Sequence, residues 1–218
     1  MRKIILLIII FITFSFSAFS TTNINYEKTK IKLIVFGPGD EIFTRWGHFG
    51  IVIDYPEKKD LLFDYGNFSF KENDFLKNFI KGIMKYSKEV AYADYVIRAY
   101  KRVNRSITTA ELDLTPEQKK LFIDTLFFEI EPENKYYQYD QFKNNCVSEM
   151  NRLINEVTDG TFLKDTSDST NRTFRETTRD YISSNHFYNL LIMLLLGTQM
   201  DRDITIEESL FLPDLLNH

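Results

Sequence analysis

The stretch YYQYDQFKNNCVSEMNRLI, residues 136–154, contains the only cysteine of the 218-residue chain. An aromatic, polar segment gives way at Cys146 to a helical pattern that extends to about residue 157, before the stop signal Asp159-Gly160. A thiol in the first turn of a helix lies at the positive end of the helix dipole, which favours the thiolate and therefore a nucleophile. The alternative is a small buried apolar residue, as free cysteines often are.

Three histidines are present, His48, His186 and His218. A cysteine nucleophile needs an imidazole that accepts its proton and later delivers it to the leaving group. His48 opens the strand-like segment 47–55, which would hold its ring rigidly opposite the Cys146 helix. His186 follows a loop-like Ser-Ser-Asn segment and remains an alternative candidate for the base, whereas His218 is the last residue and a poor candidate. We therefore expect His48 to be the base.

A third group is expected to orient the His48 ring through its other nitrogen. The next strand, predicted over residues 61–70, offers Asp64, Tyr65 and Asn67. Which of them faces His48 depends on strand register, which the sequence leaves open. Backbone N–H groups at the start of the cysteine helix, including that of Cys146 and joined by the Asn145 amide, are candidates for an oxyanion hole.

The remaining pattern predicts a single α+β domain. Strands are predicted over residues 30–36, 47–55, 61–70, 89–100 and 103–114, and helices over residues 75–86, 116–131, 146–157 and 175–184. Thr115-Pro116-Glu117-Gln118 is a capping-box start for the second helix, whose apolar stripe is expected to include Leu121, Leu126 and Phe128. Residues 161–173 are polar and typical of a mobile loop.

The N-terminus indicates export. Residues 1–20 combine Arg2 and Lys3, an apolar run and a small-residue cleavage site, which predicts a signal peptide followed by one domain over residues 21–218. An uncleaved anchor is the alternative, although the apolar run is short for a membrane span. A compartment that favours disulfides makes one unpaired thiol a candidate for reactivity. The domain is thus expected in the periplasm or at the outer face of the cell envelope.

Composition argues against several other functions. The net charge is −4, and no clustered basic face is visible, so nucleic acid is not expected as a partner. The single cysteine and scattered histidines lack the spacing of a metal site, and Gly37-Pro38-Gly39 lacks the lysine of a phosphate-binding loop. No cofactor is expected. The apolar run at residues 187–197 is too short to span a bilayer and indicates either a buried helix or a lipid-facing surface.

Several segments together resemble the periplasmic domain of the Lnb family, the lipoprotein N-acyltransferases. They are, in chain order, FGPGDEIFTRWGHFGIVI (36–53), FDYGNF (63–68), NRSI (104–107), LDLTPEQ (112–118), the cysteine stretch, TFRE (173–176) and LFLPDLL (210–216). The resemblance implies a permuted fold of the NlpC and papain-like superfamily, in which an antiparallel sheet carrying His48 packs against a helix with Cys146 at its N-terminus. It also implies Cys146 as the nucleophile and His48 as the base.

Three functions follow from this reading. The leading one is an exported thiol enzyme that moves an acyl chain through a Cys146 thioester to an amine, with lipid or lipoprotein as substrate and a membrane surface as a possible partner. The second is a cysteine amidase or peptidase that acts on cell-wall peptides or a protein. The third is a non-catalytic envelope-binding module, against which the intact Cys146 and His48 count.

Overall fold

The computed structural model describes residues 24–39, 44–68, 84–182 and 186–212. A six-stranded antiparallel sheet forms its centre, with strand order β5-β1-β2-β3-β4-β6. The strands are β1 (Lys30–Phe36), β2 (His48–Asp54), β3 (Leu61–Asn67), β4 (Met84–Tyr92), β5 (Ile107–Glu111) and β6 (Tyr136–Tyr139). The expected α+β class with an antiparallel sheet is confirmed.

Helices cover both faces of this sheet. They are α1 (Ala93–Arg102), α2 (Pro116–Glu129) and α3 (Cys146–Val157). Alternate side chains of a strand point to opposite faces, and β1 divides accordingly. Ile34 and Phe36 pack with residues of α1, whereas Ile31 and Leu33 join the larger core formed with α2 and α3. Burial on both faces explains why β1, β2 and β3 have nearly continuous apolar sequences.

The α1 helix corrects the predicted strand over residues 89–100. The strand ends at Tyr92 and the chain turns directly into a helix. Ala93, Val96, Ile97 and Tyr100 are spaced at i, i+3, i+4 and i+7, and all four pack on the same apolar cluster of the sheet. The short alternation at residues 96–100 therefore belongs to one face of a helix, and the following strand is shorter than the predicted 103–114.

The start of α2 is confirmed, but its buried face differs from the prediction. Thr115 and Gln118 form the capping box and Pro116 begins the helix. Leu121 and Phe128 are exposed, and the core contacts come from Phe122, Ile123 and Leu126. Leu126 was predicted correctly, but Leu121 and Phe128 were not, because the helix is apolar on more than one side and hydropathy alone did not identify the inner face.

The C-terminal part builds a second, two-stranded sheet from β7 (Ser169–Thr173) and β8 (Asp203–Thr205). Helices α4 (Phe174–Tyr181), α5 (His186–Leu195) and α6 (Ile206–Ser209) complete the described chain. The predicted loop over residues 161–173 thus ends in a paired strand. Phe174, Ile204, Phe211 and Leu212 form a separate apolar cluster that holds this part together.

Other predictions fall outside the described residues. The signal segment 1–20 does so entirely, as does most of the predicted helix 75–86, although Met84 and Tyr86 lie in β4 and correct its end. Among the helices that are described, none combines the length and the apolar character that a membrane crossing requires.

Candidate active site

His48 and Asp64 meet at one end of the sheet. His48 begins β2, and the antiparallel register pairs Gly50 with Asp64 on β3, so the two side chains are diagonal neighbours. Nε2 of His48 lies 2.8 Å from Oδ1 of Asp64, and the same oxygen accepts a 2.7 Å hydrogen bond from the backbone N–H of Gly66. The carboxylate therefore fixes the ring and leaves Nδ1 for another partner.

Register decides among the three candidates for the orienting group. Asp64 has the hydrogen bond to the imidazole. Tyr65 points into the larger core, where it is fully buried and its hydroxyl donates to Glu129. Asn67 pairs with Ser87 of β4, beyond a bulge in the strand. Of the three candidates, Asp64 is thus the residue that is hydrogen-bonded to the His48 ring.

Cys146 is the first residue of α3, as predicted, and is half-buried. Asn145 caps the helix, since its Oδ1 accepts from the backbone N–H groups of Val147 and Ser148 at 2.8 and 3.0 Å. Its Nδ2 donates to the carbonyl oxygens of Gln141 and Phe211 at 2.8 and 2.9 Å. Both N–H bonds of this amide are therefore engaged in holding the helix start, which leaves none for the oxyanion role considered for it.

The pKa of His48 depends on both Asp64 and Cys146. Burial lowers the pKa of His48, but the charge and hydrogen bond of Asp64, then the hydrogen bond and charge of Cys146, outweigh it and leave the pKa well above its ordinary 6.5. Burial raises the pKa of Asp64, yet the charge and hydrogen bond of His48, with the Gly66 N–H, hold it below its ordinary 3.8. The charge of Cys146 thus helps to stabilise the protonated form of His48.

Aromatic side chains lie near both His48 and Cys146. The His48 ring is nearly parallel to those of Phe36 and Tyr100, with centroids 6.2 and 6.3 Å away. Near Cys146, Tyr86 and Tyr139 stack at 4.0 Å. Burial and then the Cys146 charge raise the pKa of Tyr86 to about 12, and the same two causes raise that of Tyr139 well above its ordinary value. The thiol therefore has a neutral aromatic wall on one side.

A buried charge network ties the cysteine helix to the sheet. Lys88 of β4 is 6% exposed, and its Nζ lies 3.3 Å from Glu129 of α2 and 3.1 Å from Glu149 of α3. Arg152 contacts both carboxylates, and the Tyr65 hydroxyl donates to Glu129. Sequence reasoning missed this network, because β4 also carries Lys85, Ser87 and Glu89, and nothing local marks Lys88 as the buried one.

The other chemistry-bearing groups lie elsewhere. His186 begins α5 and is exposed, and His218 is outside the described residues. A cavity of about 530 Å³ borders the outer side of α3, and the described residues that line it, which include Asn151, Leu163 and Phe211, do not include Cys146 or His48. In the described part of the chain, no group of three or more His, Cys, Asp or Glu side chains is arranged to hold a metal ion.

Comparison with known proteins gives one family. No curated protein and no solved structure matches the chain. The model of the Lnb N-terminal periplasmic domain matches residues 15–182, a range that contains β1 to α4 and both His48 and Cys146. Since this range covers well over half of the 218 residues, the chain belongs to the Lnb family, through its N-terminal periplasmic domain.

Proposed function

We propose that the protein is an exported cysteine-dependent acyltransferase of the Lnb type, built on a permuted NlpC and papain-like fold. The observation that carries the proposal is the imidazole of His48, whose Nε2 is held by the half-buried carboxylate of Asp64 and whose pKa is raised further by the thiol that begins α3. A nucleophile, a base and a group that orients the base are the three parts that thiol catalysis needs.

In the first step, Sγ of Cys146 attacks the carbonyl carbon of an O-acyl ester, and His48 holds the proton that the thiol gives up. The ester C–O bond then breaks, and His48 delivers this proton to the departing glyceryl oxygen. The products are an S-acyl Cys146 thioester and a free hydroxyl on the donor. The negative oxygen of the tetrahedral intermediate faces the first turn of α3, where the Cys146 N–H has no acceptor within the helix.

In the second step, an amine attacks the thioester carbonyl. His48, neutral again after the first step, accepts a proton from the attacking nitrogen as the C–N bond forms. The C–S bond breaks, and the proton returns to the thiolate of Cys146. Asp64 keeps Nε2 protonated throughout, so that Nδ1 serves as the base in both steps.

Lipid or lipoprotein is the substrate class that we propose. The aromatic wall beside Cys146 offers apolar contacts to an acyl chain. On α5, Leu190 and Leu194 are 62% and 74% exposed and lie one helical turn apart, which would suit contact with a membrane surface. The family is one of periplasmic domains, which agrees with a substrate at the cell envelope.

The direct test is to follow the acyl chain on the acceptor. The protein is incubated with purified diacylated bacterial lipoprotein, and the N-terminal lipopeptide is fragmented by mass spectrometry. Transfer leaves the total mass unchanged, but one acyl chain moves from the glyceryl group to the α-amine. Cys146→Ala and His48→Ala should each abolish this rearrangement. An unaltered lipopeptide, together with cleavage of muropeptides by the wild-type protein, would instead establish the amidase.

A further inference from the structure

Gly66 of β3 lies against the edge of the His48 ring. A Cβ atom built on Gly66 would be 2.3 Å from Cε1 and 3.0 Å from Nδ1 of His48, and 3.3 Å from Oδ1 of Asp64. Carbon atoms that are not bonded do not approach to 2.3 Å, so any side chain at this position collides with the imidazole. The space that glycine leaves empty is therefore filled by the ring.

The backbone does not account for this glycine. Among the described glycines, those with a left-handed conformation are Gly47 and Gly160, and Gly66 is not one of them. An alanine would thus adopt the backbone conformation of residue 66 without strain of its own. Since conformation does not require the glycine, the close approach of His48 is what does.

The ring has little room to move away. The His48 side chain is 14% exposed, the rings of Phe36 and Tyr100 lie nearly parallel to the imidazole, and Nε2 is held by Asp64 at 2.8 Å. To restore a 3.0 Å contact, Cε1 would have to retreat by at least about 0.7 Å. Because Nδ1 is the next atom of that ring edge, this movement also displaces the ring nitrogen that Asp64 leaves free.

Gly66 also contacts the carboxylate that orients the ring. Its backbone N–H donates to Oδ1 of Asp64 at 2.7 Å, on the oxygen that receives Nε2 of His48. Gly66 therefore restricts the position of the His48 ring through its Cα and that of the Asp64 carboxylate through its N–H. Both contacts lie at the bulge of β3, where the register against β4 shifts.

We propose that Gly66 is a positioning residue for the His48–Asp64 pair, and that the absence of a side chain at residue 66 sets the distance between Nδ1 of His48 and the Cys146 thiol. The role deepens the proposed function, since it concerns the same site. It does not depend on which acyl donor or acceptor the protein uses, because the contacts exist without substrate.

The test compares Gly66→Ala, His48→Ala and the double variant by two measurements that need no substrate. The first is the rate of Cys146 alkylation by iodoacetamide between pH 5 and 9, and the second is the midpoint of thermal unfolding. Gly197→Ala is the matched control, because Gly197 has an ordinary φ of −70° and open space around its Cα.

We expect Gly66→Ala to slow alkylation at pH 6.5 by roughly tenfold to a hundredfold, the range that a displacement of about 1 Å produces at a reacting centre. Its pH profile should become that of His48→Ala. In the His48→Ala background, where the ring is gone, Gly66→Ala should change neither the alkylation rate nor the unfolding midpoint. Gly197→Ala should behave as the wild type.

The proposal would be overturned if Cys146 of the Gly66→Ala variant were alkylated at the wild-type rate. An equal loss of thermal stability in both backgrounds would also overturn it, because that loss would come from the backbone and not from the ring. If Gly66→Ala fails to fold, recovery of a folded double variant supports the ring collision, and its failure overturns it. A wild type that reacts no faster than His48→Ala would contradict the proposed dyad instead, while the unfolding comparison still decides the role of Gly66.

Discussion

Replacing Lys88 by Met tests how the cysteine helix is held on the sheet. The substitution keeps most of the volume of the side chain and removes its charge, which lies between Glu129 and Glu149 and 4.9 Å from the centre of the Tyr65 ring. The two carboxylates, whose side chains are 10% and 13% exposed, would then share Arg152 as their cation.

The expected cost follows from burial. Removing one partner of a buried ion pair costs about 3–5 kcal/mol, because the other charge stays behind without compensation. Arg152 remains in contact with both carboxylates and is 46% exposed, which places Lys88→Met at the lower end, about 3 kcal/mol. For a chain of this size, that corresponds to a fall of roughly 6–12 °C in the unfolding midpoint.

Urea unfolding followed by circular dichroism measures this difference. Lys120→Met is the matched control, because Lys120 pairs with Asp124 on the surface of α2, with side chains 60% and 41% exposed. Such a pair contributes little to stability, because both charges stay in contact with water. If the two lysine variants lose similar free energies of unfolding, the buried network does not hold α3, and the reasoning from burial is refuted.

Three further predictions concern the site itself. Asn145→Ala should destabilise the fold by about 2–4 kcal/mol in urea unfolding, since it removes a helix cap and two bonds to backbone carbonyls, and a loss below 1 kcal/mol would contradict the capping role. Asp64→Ala should slow Cys146 alkylation by about tenfold or more, because the imidazole loses its orienting group, and an unchanged rate would show that Asp64 does not act through His48. The difference in unfolding free energy between the wild type and His48→Gln should be largest between about pH 4 and 6.5. The raised pKa of His48 means that its contribution is lost as the pH rises above 6.5, and the lowered pKa of Asp64 means that its contribution is lost as the pH falls below 3.8, so a difference that grows above pH 7 would contradict the pairing.

Local signals were sufficient for the elements that carry the site. The strand over residues 30–36 and the helix over residues 146–157 were both predicted with the observed bounds, because apolar composition and a capping residue mark them within a few positions. The Thr115 capping box was recognisable for the same reason. In residues 93–102, the apolar positions fit both the period of a strand and that of a helix. Packing against the sheet selected the helix.

Contacts between distant residues were not predictable in the same way. Asp64, Tyr65 and Asn67 were equivalent in sequence, and only the register of β2 against β3 separates the first from the other two. The role of Gly66 had no local signal, since nothing near it in the sequence shows that a ring 18 residues earlier packs against it. The partners of Lys88 come from two helices that pack together only in the folded chain.

The acyl-enzyme intermediate tests the central claim most directly. Wild-type protein is mixed with diacylated lipoprotein or phospholipid, quenched with acid within seconds to preserve thioesters, and examined by intact-mass spectrometry. We predict a mass gain of one fatty acyl chain that maps to Cys146, is removed by neutral hydroxylamine and is missing in His48→Ala. An unmodified Cys146 in the presence of both donors, with the alkylation measurements showing a reactive thiol, would contradict acyl transfer through this residue.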